Sequence, residues 1–78
     1  MEMNKFIENF ADQFDEIDVN ALTPETAFRG LDGWSSLVAL MVITMIDEEY
    51  EVTITGDEMK KQNTIGELYN LVASSYNV

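Results

Sequence analysis

The sequence predicts an all-α domain: a small four-helix bundle with a long first loop and a short third helix. Three observations carry this reading. Phe6, Ile7, Phe10 and Phe14 recur at spacings of three and four. The run from Leu37 to Ile46 is apolar except for Thr44. Thr64-Ile65-Gly66-Glu67 has the Thr-x-x-Glu form that opens helices. The chain has 78 residues and no cysteine, so one core must hold it together without a disulfide. A single domain over residues 1–78 is expected.

The first helix is placed over about Met3 to Asp15, where the phenylalanines form one apolar stripe and polar residues fill the opposite face. Residues 16 to 35 form the long loop. Within it, Thr23-Pro24-Glu25 reads as a cap followed by proline at a first helical position, which predicts a short helical turn. Phe28 and Leu31 pin the loop to the core, and Gly30 and Gly33 mark tight turns. A loop of this length in so small a domain points to function. The second helix runs from about Ser36 to Glu51. Val52-Thr53-Ile54 alternates but has no partner strand, so it is read as extended loop. Asp57 caps a short third helix, Glu58 to Gln62. Thr64 opens the last helix, whose buried stripe is Ile65, Leu68, Leu71 and Val72.

The second helix has more apolar surface than a core needs. At about 100° per residue, Ala39, Val42, Ile43, Ile46 and Tyr50 share the core face. Leu37, Met41, Thr44 and Glu48 share the outward face. Leu37 and Met41, flanked by Val38 and Leu40, are therefore left exposed or half exposed. Such a cluster marks an interaction site.

Charge narrows the partners. The net charge is −11, and Lys5, Arg29, Lys60 and Lys61 are the only cations. Nucleic acid and anionic membrane need clustered cations and are poor partners. A basic protein surface is favoured. The apolar run is about half of the roughly 20 residues a membrane span needs. No signal-peptide pattern opens the chain, so a cytoplasmic location is expected.

The stretch Gly33-Trp34-Ser35-Ser36-Leu37 places two hydroxyls where the loop meets the apolar run. One serine is explained as a helix cap, which stabilises by about 1 kcal/mol. Nucleophilic catalysis needs a base, usually histidine, and the chain has none. A small hydrolase is set aside on that ground. Zinc lacks its ligands, and no Asp-x-Asp-x-Asp-Gly loop is present for calcium. Asp12, Asp15 and Asp18 have helix-face spacing, so no metal site is expected. The remaining chemistry is that of an acceptor. A helix N-terminus favours phosphate, and a serine there can receive a phosphoryl-linked group from another enzyme.

With these residues in place the sequence resembles an acyl carrier protein, over about Lys5 to Val72. Ser36-Leu37 matches the Ser-Leu of that family's Asp-Ser-Leu hallmark, with Trp34 before it and Ser35 at the Asp position. Asp47-Glu48-Glu49-Tyr50 resembles the acidic-then-aromatic end of the family's second helix. Val52-Thr53-Ile54 resembles its connection, and Thr64 to Leu68 its last helix opening.

The resemblance implies a 4′-phosphopantetheine arm, donated by coenzyme A and attached at Ser36, whose terminal thiol holds acyl groups as thioesters. Trp34, Ser35 and Leu37 would flank it. The chain would then be a substrate of other enzymes and not itself an enzyme. Its implied partners are a phosphopantetheinyl transferase and acyl-transferring, condensing or ligating enzymes of fatty-acid, lipid or polyketide-type biosynthesis, with basic or apolar docking surfaces. They would dock on Leu37, Val38, Leu40, Met41, Asp47 and Glu48. A monomer is expected. The strongly acidic surface favours acyl over peptidyl cargo.

Two departures from the family pattern bear on specificity. Ser35 replaces a carboxylate that, in the family, helps the transferase and its metal engage the carrier. Val38 and Met41 stand where fatty-acid carriers have acidic residues, which implies a specialised carrier with its own partner enzymes. The alternative is an unmodified adaptor of the same fold that binds protein through the apolar face of the second helix.

Overall fold

Phe6, Phe10 and Phe28 have no solvent exposure, and the rings of Phe10 and Phe28 meet with centroids 6.0 Å apart. They come from two elements far apart in sequence, and this meeting organises the rest. In a computed structural model, which describes residues 1–76, the four helices are α1 (Met3–Ala11), α2 (Ser36–Tyr50), α3 (Gly56–Lys60) and α4 (Ile65–Ser75). Helix α1 packs against α2 and α4, and α3 packs against α2. No strand is present among the described residues, only an isolated bridge between Ala27 and Thr64. The expected all-α bundle with a long first loop and a short third helix is the fold observed.

Helix α1 ends four residues before the expected boundary. Gln13 and Phe14 donate to Phe10 and Ala11, three residues back, at 3.2 and 3.0 Å. The last turn is tightened in this way and then stops. The sequence gives the reason: Asp12, Asp15 and Glu16 crowd the negative end of the helix dipole, and no basic residue stands in the last turn. Phe14 stays buried beyond the helix end, so the apolar stripe outlasts the hydrogen bonding that suggested it.

The loop is more ordered than its length suggests. The helical turn expected at Thr23-Pro24-Glu25 is instead a hydrogen-bonded turn, closed by Thr26 N donating to Thr23 O at 3.0 Å. Thr23 Oγ1 accepts from Glu25 N at 3.2 Å, a side-chain turn that competes with helix. Two 3-10 turns lie elsewhere, at Val19–Ala21 and Phe28–Gly30. Leu22 and Phe28 are buried, and Leu31 is half-buried.

Two hinges tie the loop to α3 and α4. The first runs along the backbone: Ile65 N donates to Thr26 O at 3.0 Å and Gly66 N to Pro24 O at 2.8 Å. The second is Arg29. Its Nη1 donates to Gln62 O at 2.6 Å and Met59 O at 3.4 Å, and its Nη2 donates to Asn63 Oδ1 at 2.7 Å. The guanidinium also lies 5.3 Å from the centre of the Phe28 ring.

The boundaries of α2 and α3 moved as well, and that of α4 did not. Helix α2 ends at Tyr50, and Glu51 caps it in the left-handed region at φ 56°. Helix α3 is capped by Thr55, not Asp57, because Thr55 and Glu58 make a full capping box: Thr55 Oγ1 accepts from Glu58 N at 3.0 Å, and Glu58 Oε1 accepts from Thr55 N at 2.9 Å. At α4 the expected Thr64 cap forms, accepting from Glu67 N at 3.1 Å. Glu67 reaches one residue further back, accepting from Asn63 N at 2.6 Å.

The core also differs in detail. Ala39, Ile43 and Leu71 are half-buried and not fully inside, while Met45 joins Val42, Ile46 and Tyr50 in the buried face of α2. Val52 and Ile54, from the extended segment, are buried on either side of exposed Thr53.

Candidate functional site

The head of α2 is set by the two residues before its cap. Gly33 has φ +88°, a conformation that costs glycine little and other residues more. Trp34 follows, with its N–H donating to Leu31 O at 3.1 Å. Its ring lies against Phe28, Phe14 and Phe10, with centroids 5.1, 6.2 and 6.3 Å away. The tryptophan expected beside the site is thus half-buried and anchors the loop to the aromatic core.

This anchoring delivers the two serines to different tasks. Ser35 is extended, at φ −155° and ψ 172°, and is the N-cap. Its Oγ accepts from Val38 N at 3.2 Å, and its carbonyl accepts from Ala39 N at 2.9 Å. Ser36 is the first residue of α2 and is exposed. Its hydroxyl makes no hydrogen bond among the described residues. No acidic residue lies in the first turn of α2, so the positive end of the helix dipole is not neutralised there.

Beside Ser36 lies a groove of about 590 Å³ between α2 and α3. Trp34, Ala39, Leu40, Ile43 and Met59 give it apolar walls, and Arg29 and Lys60 stand on its rim. In a chain with fifteen carboxylate side chains, none lines this groove. Among the described residues, no group of three or more potential metal ligands is assembled.

A family model described as a phosphopantetheine attachment site matches residues 4–72. The chain belongs to this family. It is therefore a phosphopantetheine carrier, a domain that bears the covalent 4′-phosphopantetheine group and performs no catalysis of its own. Carriers of this family engage the transferase that modifies them and the enzymes they serve. A search among curated proteins returns no match.

The carrier's structure brings together most of the residues singled out in the sequence. Trp34, Ser35, Ser36, Leu37 and Leu40 cluster at the head of α2. Leu37 is 66% exposed, Leu40 59% and Met41 38%, while Val38 is half-buried. Glu48 lines a depression with Leu40 and Met41 on the side of α2 that faces α1. Asp47 does not join the cluster at the head of α2; it lies about 16 Å along the helix from Ser36, at about 1.5 Å per residue. Asp47 there accepts from Thr53 Oγ1 at 3.4 Å.

Sequence reasoning missed the far wall of the groove, made by Met59 and Lys60, and the rim position of Arg29. No periodic signal links these residues to Ser36; only the packing of α3 does. No helix among the described residues is long and apolar enough to cross a membrane.

Proposed function

We propose that Ser36 is the attachment point of the 4′-phosphopantetheine arm, and that the chain serves as an acyl carrier domain. The observation that carries this reading is the division between the serines. Ser35 is committed to the cap, and Ser36 presents a free hydroxyl at an uncompensated helix N-terminus. The surroundings suit the group. Arg29 and Lys60 give a positive setting for a phosphodiester, and Ala39, Leu40, Ile43 and Met59 offer an apolar wall for an acyl chain. Trp34 and Leu37 flank the attachment point. When bound, the group supplies the thiol on which acyl cargo travels as a thioester, a function that this cysteine-free chain cannot supply itself.

The partners in this reading are a phosphopantetheinyl transferase and acyl-transferring, condensing or ligating enzymes of fatty-acid, lipid or polyketide-type biosynthesis. They would meet Leu37, Val38, Leu40 and Met41, with Asp47 and Glu48 at the distal end of the helix. The family assignment favours this carrier over an unmodified adaptor.

Intact mass spectrometry tests the proposal. The protein is incubated with coenzyme A, Mg²⁺ and a promiscuous phosphopantetheinyl transferase. The parent and Ser35→Ala gain one arm, and Ser36→Ala gains none. A gain that persists in Ser36→Ala would overturn the assignment. So would no gain in the parent, both with that enzyme and after co-expression with the host's own transferase.

A further inference from the structure

The two cations on the rim of the groove beside Ser36 are not equivalent. Arg29 is engaged by the fold: its Nη1 donates to Gln62 O at 2.6 Å and Met59 O at 3.4 Å, and its Nη2 to Asn63 Oδ1 at 2.7 Å. Lys60, the last residue of α3, is exposed, and its ammonium makes no hydrogen bond among the described residues. A lysine in the last turn of a helix complements the helix dipole. Lys61, at the C-cap of α3, meets that need as well, yet it does not line the groove. The dipole therefore does not explain why a free cation shares the groove with Ser36.

The other side of the head of α2 has the opposite sign. There a depression of about 470 Å³ sets Leu37 and Val38 among Asp15, Glu16 and Asp32, with no cation. An anion fixed at Ser36 thus stands between a carboxylate-lined depression and a groove with no carboxylate. Like charge repels it from the first, and the ammonium attracts it to the second.

We infer that Lys60 is the positioning residue for the arm: its ammonium pairs with the phosphodiester at Ser36 and turns the arm toward α3, while Arg29 keeps its hold on the α3–α4 corner. The inference rests on the reading of Ser36 as the attachment point. An ammonium is a compact charge on a flexible stem with three donors, so it can follow a phosphate that no rigid pocket holds. Hydrogen bonds between ionised groups are the stronger kind, and Lys60 breaks no bond of the fold to make one.

The test uses the full chain loaded with coenzyme A, Mg²⁺ and a phosphopantetheinyl transferase, with loading verified by mass. The probe is the phosphorus of the arm, followed by ³¹P NMR, together with ¹⁵N amide shifts before and after loading. In the parent, loading is expected to shift the amides of Gly56 and Lys60 and to leave those of Gln62 and Asn63 in place. Lys60→Gln moves the phosphorus resonance and abolishes the shift at Gly56, and Lys60→Arg restores most of both. Lys61→Gln, the same loss of charge one residue away, changes neither. Salt at about 1 M, which screens charges beyond about 3 Å, moves the parent's resonance toward that of Lys60→Gln.

A phosphorus resonance indifferent to Lys60→Gln, or moved equally by Lys61→Gln, would overturn the inference. So would loading shifts centred on Gln62 and Asn63, which would mean that Arg29 leaves its corner for the phosphate, or shifts centred on Asp15, Glu16 and Asp32. The two readings fail differently. A parent that gains no arm at Ser36 sinks both, and a parent that loads there with a phosphorus blind to Lys60 sinks the role of Lys60 alone.

Discussion

Gly66 N donates to Pro24 O at 2.8 Å, and a Cβ placed on Gly66 would stand 2.9 Å from that same oxygen. The first loop and the first turn of α4 are thus packed too closely for any side chain. Alanine is the better helix former by about 1 kcal/mol, yet Gly66→Ala is expected to destabilise the protein by about 1–3 kcal/mol through the backbone shift it forces. The denaturant midpoint of the variant checks this. A midpoint at or above the parent's would mean that the loop moves aside freely.

The resemblance to acyl carrier proteins places Ser35 at the position of the family's aspartate. Because its Oγ caps Val38 N, Ser35→Ala is expected to lose about 1 kcal/mol of stability while still accepting the arm at Ser36. Ser35→Asp keeps the cap and adds charge at the positive end of α2, which stabilises by about 0.3–1 kcal/mol. Its loading by the transferase is expected to be faster than the parent's. Initial rates of mass gain decide the matter, and a slower Ser35→Asp would reverse the role given to that carboxylate.

Glu51 is the one described non-glycine residue with positive φ. Its side chain is exposed, so nothing in the core repays the strain. Glu51→Gly is expected to stabilise the fold by about 1 kcal/mol, read as a rise in the thermal midpoint.

Tyr50 accepts a hydrogen bond from Asn9 Nδ2 at 3.0 Å. Burial is the main influence on its phenol and raises its pKa above the ordinary 10.0; the Asn9 bond opposes this more weakly. The sign follows from linkage. The folded state holds the proton more tightly than the unfolded state does. The stability this confers is fully present below the unfolded pKa and is lost as pH rises from there through the folded pKa. Urea unfolding followed from neutral to alkaline pH is expected to show this fall. Tyr50→Phe removes the Tyr50 part of it and costs about 1 kcal/mol at neutral pH for the lost hydrogen bond.

The resemblance to acyl carrier proteins places Met41 where fatty-acid carriers would be acidic. Met41 is exposed among the residues that partner enzymes would meet, so Met41→Glu is expected to lower turnover by the cognate partner enzyme with no loss of fold by circular dichroism. Unchanged turnover would remove Met41 from the docking surface.

What the sequence revealed followed from local rules. Helix α2 and the head of α4 are written in short-range signals: an apolar run, and a threonine three residues before a glutamate. The division of labour between Ser35 and Ser36 was not readable. Either serine can cap, and the choice depends on where the Gly33 turn and the packing of Trp34 set the start of the helix. The end of α1 was misread because Phe14 continues the apolar period after the hydrogen bonds stop. The Thr55-Glu58 box is legible in the sequence, but Asp57 offers a competing cap two residues later. The groove was out of reach for a different reason. Its α3 wall is set by the burial of Met59 and by the hold of Arg29 on the end of α3, and neither contact leaves a periodic trace.

Arg29 has a consequence for how the molecule opens. One side chain bonds to two carbonyls and an amide at the α3–α4 corner, while the backbone of Pro24 and Thr26 holds the first turn of α4. The long connection therefore cannot come loose by itself. To free residues 24 to 31, the corner at Gln62 and Asn63 and the start of α4 must let go together. Mechanically the loop belongs to the second half of the chain, as one cooperative unit with it. In hydrogen exchange, the amides of Thr26, Leu31, Ile65 and Gly66 would then share one opening free energy, and Arg29→Gln would lower all four at once.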